Sequence, residues 1–399
     1  MNQRHSSKRL LLGLLLVALL SFLVIRIHGQ YCLPIFSGAG EDAWLVRDPY
    51  FAREGRPDLF KYGPVWAIVF APLYSLGTLI GERGLQFFWA FLNLLAFSSA
   101  VLQMIRRWSP GVGTQPRWRM AVMVVLLLPL ALTNAFYGQI NSVLLLLVAI
   151  GLAGSSAGAL PRHAFSGGLA LAFATWMKLF PVLFAIFLVL PLERQEQRSR
   201  RAGLSGFAIG ILLGIVLPLV VWRGEVPEIF RSWAQVLGQD LHSPHLKIGL
   251  ASLLPESARG LLRPIQLIYF GALMLSVFWM NRSRRVDGSL QRFRLRRSIE
   301  NLLMVGVLLL SHMTEPPTLA LLAPAAIWIA LEGGVAEISV FVVVMVLLPS
   351  DLVPRNWKEA LGGQYAIKTF ALLWILAVLS RRSLQATCGD VRAGVARPS

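Results

Sequence analysis

Long stretches of this chain carry almost no charge. Apolar blocks fall at 10–27, 64–81, 84–105, 120–137, 142–158, 166–192, 203–222, 265–281, 301–312, 319–332, 334–349 and 364–380. Most approach the roughly 20 residues that a helix needs to cross a bilayer. Inside lipid there is no water to bond the backbone, so each block must satisfy its own N–H and C=O groups as a helix. The pattern predicts an all-α, polytopic transmembrane helical bundle of about twelve spans, a single integral membrane domain over residues 1–399. Hydrophobic residues make up 56% of the chain and charged residues 15%, with a mean hydropathy of +0.63, which excludes a water-soluble fold.

The formal charge of +18 does not indicate nucleic acid, because Lys and Arg cluster in short segments between apolar blocks. There they act as topology signals. The segments Glu193–Arg201 and Arg282–Arg297 and the pair Arg381-Arg382 fall on one side by alternation, and the positive-inside rule makes that side cytoplasmic. The long polar stretches 26–63, 223–264 and 350–363 then gather on the outer face, and residues 383–399 form a cytoplasmic tail. One conflict follows from counting each early block as one span: Arg106 to Arg119, with four arginines, lands outside. Either 166–192 is two short helices broken near Lys178 and Pro181 with a compensating change upstream, or that loop is an exception to the rule. The first block has no small-residue cleavage site after it and reads as an uncleaved signal anchor. Cys32 and Cys388 fall on opposite sides of the membrane in this topology and do not pair.

Chemistry requires polar residues where a lipid-embedded chain can least tolerate them. The 26–63 loop holds Glu41, Asp42 and Asp48, then Asp58, Lys61 and Tyr62 before the chain re-enters at Pro64. A carboxylate there can serve as a general base; equally, the loop's aromatics can anchor it at the interface. Lys178, between apolar residues, must face protein, water or an anionic ligand, or else snorkel from a helix end. Gln139 and Asn141 either line a polar cavity or hold helices together. Ser311-His312-Met313-Thr314-Glu315-Pro316-Pro317-Thr318 places a histidine and a carboxylate at a helix break, which is either cavity-lining or a tight hairpin. His242 and His245 lack the partners of a zinc site. No phosphate-binding loop, dinucleotide fingerprint, zinc-protease motif or serine elbow occurs in a credible setting.

In order, these residues resemble a known pattern. Phe60-Lys61-Tyr62-Gly63-Pro64, Trp89 to Asn93, Gly138-Gln139-Ile140-Asn141, Lys178 to Pro181 and the Ser311–Thr318 segment are similar to the polytopic GT-C class glycosyltransferases, in particular the family 87 mannosyltransferase-like proteins. The first of these motifs is the most specific. The chain departs from the family where an acidic Asp-Phe pair directly follows the first span: here the sequence reads Ile27-His28-Gly29-Gln30-Tyr31-Cys32.

The resemblance implies inverting transfer of a hexose, mannose, from a polyprenyl-phosphate sugar to a lipid or glycan acceptor at the outer face of a bacterial inner membrane. The family's base does not transfer by position, so the loop acids supply the candidate, Asp42 with Glu41 and Asp48 as fallbacks, and Lys178, Lys61, Gln139, Asn141 and Lys247 are the candidates around the donor phosphate. Tyr62, His312 and Glu315 line the cavity, with no cofactor and no obligatory metal. The alternative is a non-catalytic lipid-handling or transport protein on the same scaffold, which the missing Asp-Phe favours.

Overall fold

The computed structural model describes residues 30–51, 58–108, 116–156, 158–190, 196–240, 248–282, 289–311, 314–347 and 367–381. The first apolar block, Lys247, His312 and the C-terminal tail lie outside the described residues. The described chain is helical throughout, with one isolated bridge between Ile248 and Thr314.

The elements are α1 (Leu33–Trp44), α2 (Pro64–Trp108), α3 (Arg117–Tyr137), α4 (Asn141–Gly154), α5 (Pro161–Met177), a 3-10 run Phe180–Ala185 leading into α6 (Ile186–Val189), and α7 (Gln197–Trp222). There follow α8 (Val226–Asp240), α9 (Leu262–Arg282), α10 (Ser289–Leu310), the 3-10 run Pro316–Leu322 leading into α11 (Ala323–Glu332), α12 (Val335–Leu347) and a last helix, α13, over 367–381. Four stretches are long and apolar enough to cross a membrane: Pro64–Arg107, Trp118–Tyr137, Gln197–Gly238 and Ser257–Trp279. Residues 295–310 and 317–331 are buried without a break and form the middle of the bundle. In contrast, α9 leaves Leu267, Ile268 and Leu275 exposed along its length, as a helix facing lipid does.

Arginines mark one end of the bundle. Arg107 Nη2 donates to Glu300 Oε1 at 2.6 Å, and Arg296 Nε to the same oxygen at 2.9 Å. Arg296 also caps the end of α4 through the Ser155 carbonyl, and Arg119 caps α11 through the Leu331 and Gly333 carbonyls. Cationic groups at helix C-termini meet the unpaired carbonyls and the negative end of the helix dipole.

The first sequence-level conflict is resolved at α2. Gly81 has φ 73° and ψ 168°, a backbone that favours glycine, and it folds α2 into two antiparallel arms. Phe70 on one arm meets Trp89 on the other with ring centroids 6.1 Å apart. The second arm runs from Trp89, whose indole donates to the Gly138 carbonyl, to Arg107 at the arginine end, a rise of about 27 Å. Gly138 lies at the opposite end of α3 from Arg119, so the Gly81 turn is at the end away from the arginines. The first arm starts at that same end, where Gly63 N–H donates to the Trp176 carbonyl near the end of α5. The 64–81 arm therefore runs away from the arginine end without crossing to it, and Arg106 and Arg107, at the end of the returning arm, join the other arginines.

The compensating crossing is in the 166–192 block. There α5 ends at Met177, and Lys178 is extended at φ −144° and ψ 133°. The chain then returns, placing Phe187 under the Arg296 guanidinium. From that end α7 runs parallel to α5. A Cβ added at Gly168 or Gly206 would fall on a backbone carbonyl of the partner helix. This small-residue seam is how helices approach closely where no hydrophobic effect drives them together.

Candidate active site

The end away from the arginines is built around a clamped turn. Tyr137 ends α3, Gly138 takes the left-handed conformation at φ 63°, and Asn141 opens α4. A Cβ at Gly138 would also strike Gln30. Asn134 Nδ2 lies within 3.2 Å of the Gln139 carbonyl, Ser142 Oγ and Asn93 Oδ1. Trp89 Nε1 donates to the Gly138 carbonyl at 2.6 Å, and Cys32 N–H donates to the Tyr137 carbonyl at 2.9 Å. These buried hydrogen bonds hold the turn in one backbone geometry.

That geometry presents Gln139. Its Oε1 accepts from the Tyr62 hydroxyl at 3.1 Å and its Nε2 donates to Cys32 Sγ at 3.0 Å. The Tyr62 carbonyl accepts from the Tyr50 hydroxyl at 2.7 Å. Two residues on, Asn141 is fully buried, and neither of its amide atoms has a hydrogen-bond partner among the described residues.

Charges converge on Cys32. Burial pushes its thiol up to about 12, and the carboxylates of Glu315 and Asp58 push in the same direction while Gln139 and Lys178 oppose them. The Tyr62 hydroxyl is raised well above its ordinary value, first by burial and then by Cys32, Glu315 and Asp58. Tyr31 is raised by burial, Asp58, Cys32 and Glu315, with Lys61 opposing. The cluster is thus two carboxylates, two lysines, two phenols, a thiol and an amide. Lys61 Nζ pairs with Asp58 Oδ2 at 2.8 Å. Lys178 Nζ lies 3.5 Å from Thr318 Oγ1, on the turn that Glu315 opens. The helix α4, carrying Asn141, packs on that same turn.

Over this cluster lies α8. Its Phe230 and Trp233 rings stack on Trp176, and Trp233 Nε1 donates to the Lys61 carbonyl at 3.3 Å.

The structure thus brings together Lys61, Tyr62, Gln139, Lys178 and Glu315. It places Glu41 and Asp42 farther along α1, and Asp48 beside Tyr50, whose hydroxyl bonds the Tyr62 carbonyl. Asp42 stands ten residues beyond Cys32 on α1, about 15 Å along the helix, and is 0% exposed. Glu41 is half-buried beside it, and Asp48 Oδ1 accepts from the Tyr50 N–H in a tight turn. None of the three acts on Cys32, Tyr31 or Tyr62. The sequence reading gave no role to Cys32, Tyr31, Asp58 or Thr318. Asp58 carried a usable signal, since it stands three residues before Lys61; Tyr31 and Cys32 carried none.

No solved structure matches the chain. The polyprenol-phosphate-mannose-dependent alpha-(1-2)-phosphatidylinositol mannoside mannosyltransferase of Mycobacterium tuberculosis (strain ATCC 25618 / H37Rv) is 26% identical over 360 residues, covering 82% of this chain and 77% of that protein. Residues 60–311, from the Phe-Lys-Tyr-Gly-Pro motif to the end of α10, match glycosyltransferase family 87, and this membrane-embedded chain belongs to that family.

Proposed function

We propose that the chain transfers a hexose, mannose, from a polyprenyl-phosphate-linked donor to a hydroxyl of a lipid or glycan acceptor, with inversion. The observation that carries this reading is the convergence of Glu315 and Lys178 at one end of the bundle, on Cys32 and on the Thr318 turn. A sugar bound to lipid phosphate needs a carboxylate on the acceptor side and fixed positive or amide groups on the phosphate side.

In this reaction the acceptor oxygen forms a bond to the anomeric carbon as the bond from that carbon to the phosphate oxygen breaks. The acceptor proton passes to Glu315, and polyprenyl phosphate leaves with the electron pair. The Lys178 ammonium, the Thr318 hydroxyl and the Asn141 amide stand on the leaving-group side, and holding them in place lowers the cost of charge developing on the phosphate. A single displacement with one carboxylate inverts the anomeric carbon. We assign the base to Glu315 rather than to Asp42, Glu41 or Asp48, because Glu315 opens the turn on which Thr318 meets Lys178, whereas Asp42 and Glu41 stand well along α1 from Cys32 and Asp48 is engaged by the Tyr50 N–H. Gln139 spends both ends of its amide on Tyr62 and Cys32, which suits a positioning role better than a phosphate contact.

By the positive-inside rule the arginine end is cytoplasmic, so the site opens on the outer face of a bacterial inner membrane. Nucleotide sugars are absent there, which fits a lipid-linked donor. The test is transfer by the full chain in liposomes, comparing radiolabelled polyprenyl-phosphate mannose with GDP-mannose. Product from the lipid donor alone, with the opposite anomeric configuration, is expected. Transfer from GDP-mannose, or lipid-phosphate binding with no transfer from any sugar donor, overturns the reading; the second outcome favours a lipid-handling protein.

A further inference from the structure

Glu315 stands between α10 and the Pro316–Leu322 run, where the backbone belongs to neither. A residue before proline is held extended, and Glu315 is so at φ −104° and ψ 161°. Pro316 and Pro317 have no N–H with which to tie the segment down. A tie comes from the other side: the Thr314 carbonyl accepts from the Ile248 N–H at 2.8 Å, in the bridge between these two buried residues. Ile248 is in turn fixed by its neighbour. Gly249 has φ 132°, and a Cβ there would fall 2.7 Å from the Leu309 carbonyl oxygen at the end of α10, so only glycine lets the two backbones meet. Both backbone groups of Gly249 bond one side chain, the buried Thr369 hydroxyl of α13: the N–H donates to it at 3.0 Å and the carbonyl accepts from it at 3.1 Å. Ser252 Oγ closes the knot, 2.8 Å from Thr369 Oγ1 and donating to the Gly249 carbonyl at 2.8 Å.

We propose that Thr369 is a positioning residue for Glu315, acting through the Gly249 turn and the Ile248–Thr314 bridge to set where the carboxylate stands against the acceptor hydroxyl. Every link from Thr369 to Glu315 is a hydrogen bond or a peptide bond, so loosening the first moves the last. A catalytic group displaced by about 1 Å can lose about 10²-fold in rate. Thr369 itself touches no substrate. The proposal rests on the assignment of Glu315 as the base.

The experiment is a double-mutant cycle on the full chain in liposomes, measuring kcat and KM for polyprenyl-phosphate mannose per unit of folded protein. Thr369→Val keeps the shape and removes the hydroxyl; it is expected to lower kcat about tenfold while KM for the donor holds. Thr369→Ser, which keeps the hydroxyl, is expected to stay near the wild type. Because Thr369 acts through the carboxylate, Thr369→Val made in a Glu315→Gln chain is expected to cost nothing further. Ser252→Ala is a milder cut in the same knot, at a half-buried residue. Its smaller loss is expected to vanish in the Glu315→Gln chain too, and it carries the test if Thr369→Val does not fold. Wild-type kcat in Thr369→Val, or in Ser252→Ala where Thr369→Val does not fold, overturns the inference and leaves Glu315 as the base. So does a loss that multiplies with that of Glu315→Gln, which is what a merely structural role gives. Full transfer by Glu315→Gln instead removes the base assignment, and this inference with it.

Discussion

At the scale of single residues, the site is a contest between burial and charge, and Cys32 reports it. Its thiol is pushed up to about 12 by burial and by Glu315 and Asp58, so at neutral pH it is held as the neutral thiol. Thiolate is the nucleophile in alkylation. A Cys388→Ser chain is therefore expected to resist maleimide at pH 7 to 8 in the folded state and to react fully once denatured; rapid labelling of the folded protein would contradict the burial and charge seen here. Asn141 gives a second prediction. Asn141→Ala removes an amide that has no partner among the described residues, so it is expected to leave the thermal midpoint nearly unchanged. Transfer should nevertheless fall about tenfold or more, in the range of a lost charge-stabilising donor. Unchanged transfer would remove Asn141 from the donor side. Much of this was legible in the sequence, because a lysine, two amides and a carboxylate in apolar surroundings stand out by cost alone. The proposed base stood out less: Glu41, Asp42 and Asp48 drew attention by proximity in sequence, and the proposal for Glu315 turns on Asp42 and Glu41 lying near the far end of α1 from Cys32.

At the scale of elements, hydropathy found the helices and misread what two of them do. Block 64–81 is long and apolar enough to cross, yet it runs away from the arginine end and Gly81 turns the chain back, so the crossing to the arginines belongs to the second arm. Block 166–192, for which the sequence offered a break near Lys178 and Pro181 as one of two alternatives, is broken at Lys178 into an outgoing and a returning segment. The sign conflict at Arg106 was the visible symptom of both, because one missing crossing and one extra crossing cancel in the total. Labelling with an impermeant maleimide in sealed vesicles, in a Cys388→Ser background, checks this: Glu82→Cys is expected to label from the same side as the site, and Arg106→Cys only from the opposite side. Labelling of both from one side would restore the simple count. The α5–α7 seam is equally testable. Gly168→Leu must push two helices apart and is expected to destabilise the protein by about 3 kcal/mol, read as a lowered thermal midpoint in detergent, whereas Gly271→Leu, where a Cβ meets nothing within 4 Å on α9, is expected to be tolerated.

At the scale of the whole molecule, the two ends of the bundle have different jobs. The arginine end is tied: Glu300 alone joins Arg107 on α2 to Arg296 on α10, and Arg296 reaches on to α4. Removing that carboxylate leaves two guanidinium groups without their shared anion, so Glu300→Ala is expected to cost about 3–5 kcal/mol. The opposite end gathers the groups with chemistry to offer: a carboxylate, a lysine and an amide near Cys32. Such a division suits an enzyme that must hold its helices rigid while lipid substrates reach one face. The most direct test reconstitutes wild type, Glu315→Gln and Asp42→Asn in liposomes and measures sugar transfer from polyprenyl-phosphate mannose. Glu315→Gln is predicted to lose about 10²-fold or more in kcat with its thermal midpoint preserved, and Asp42→Asn to retain transfer in proportion to the folded protein. Full activity in Glu315→Gln, or loss of transfer in a well-folded Asp42→Asn, would contradict the assignment of the chemistry to the Cys32–Glu315 cluster.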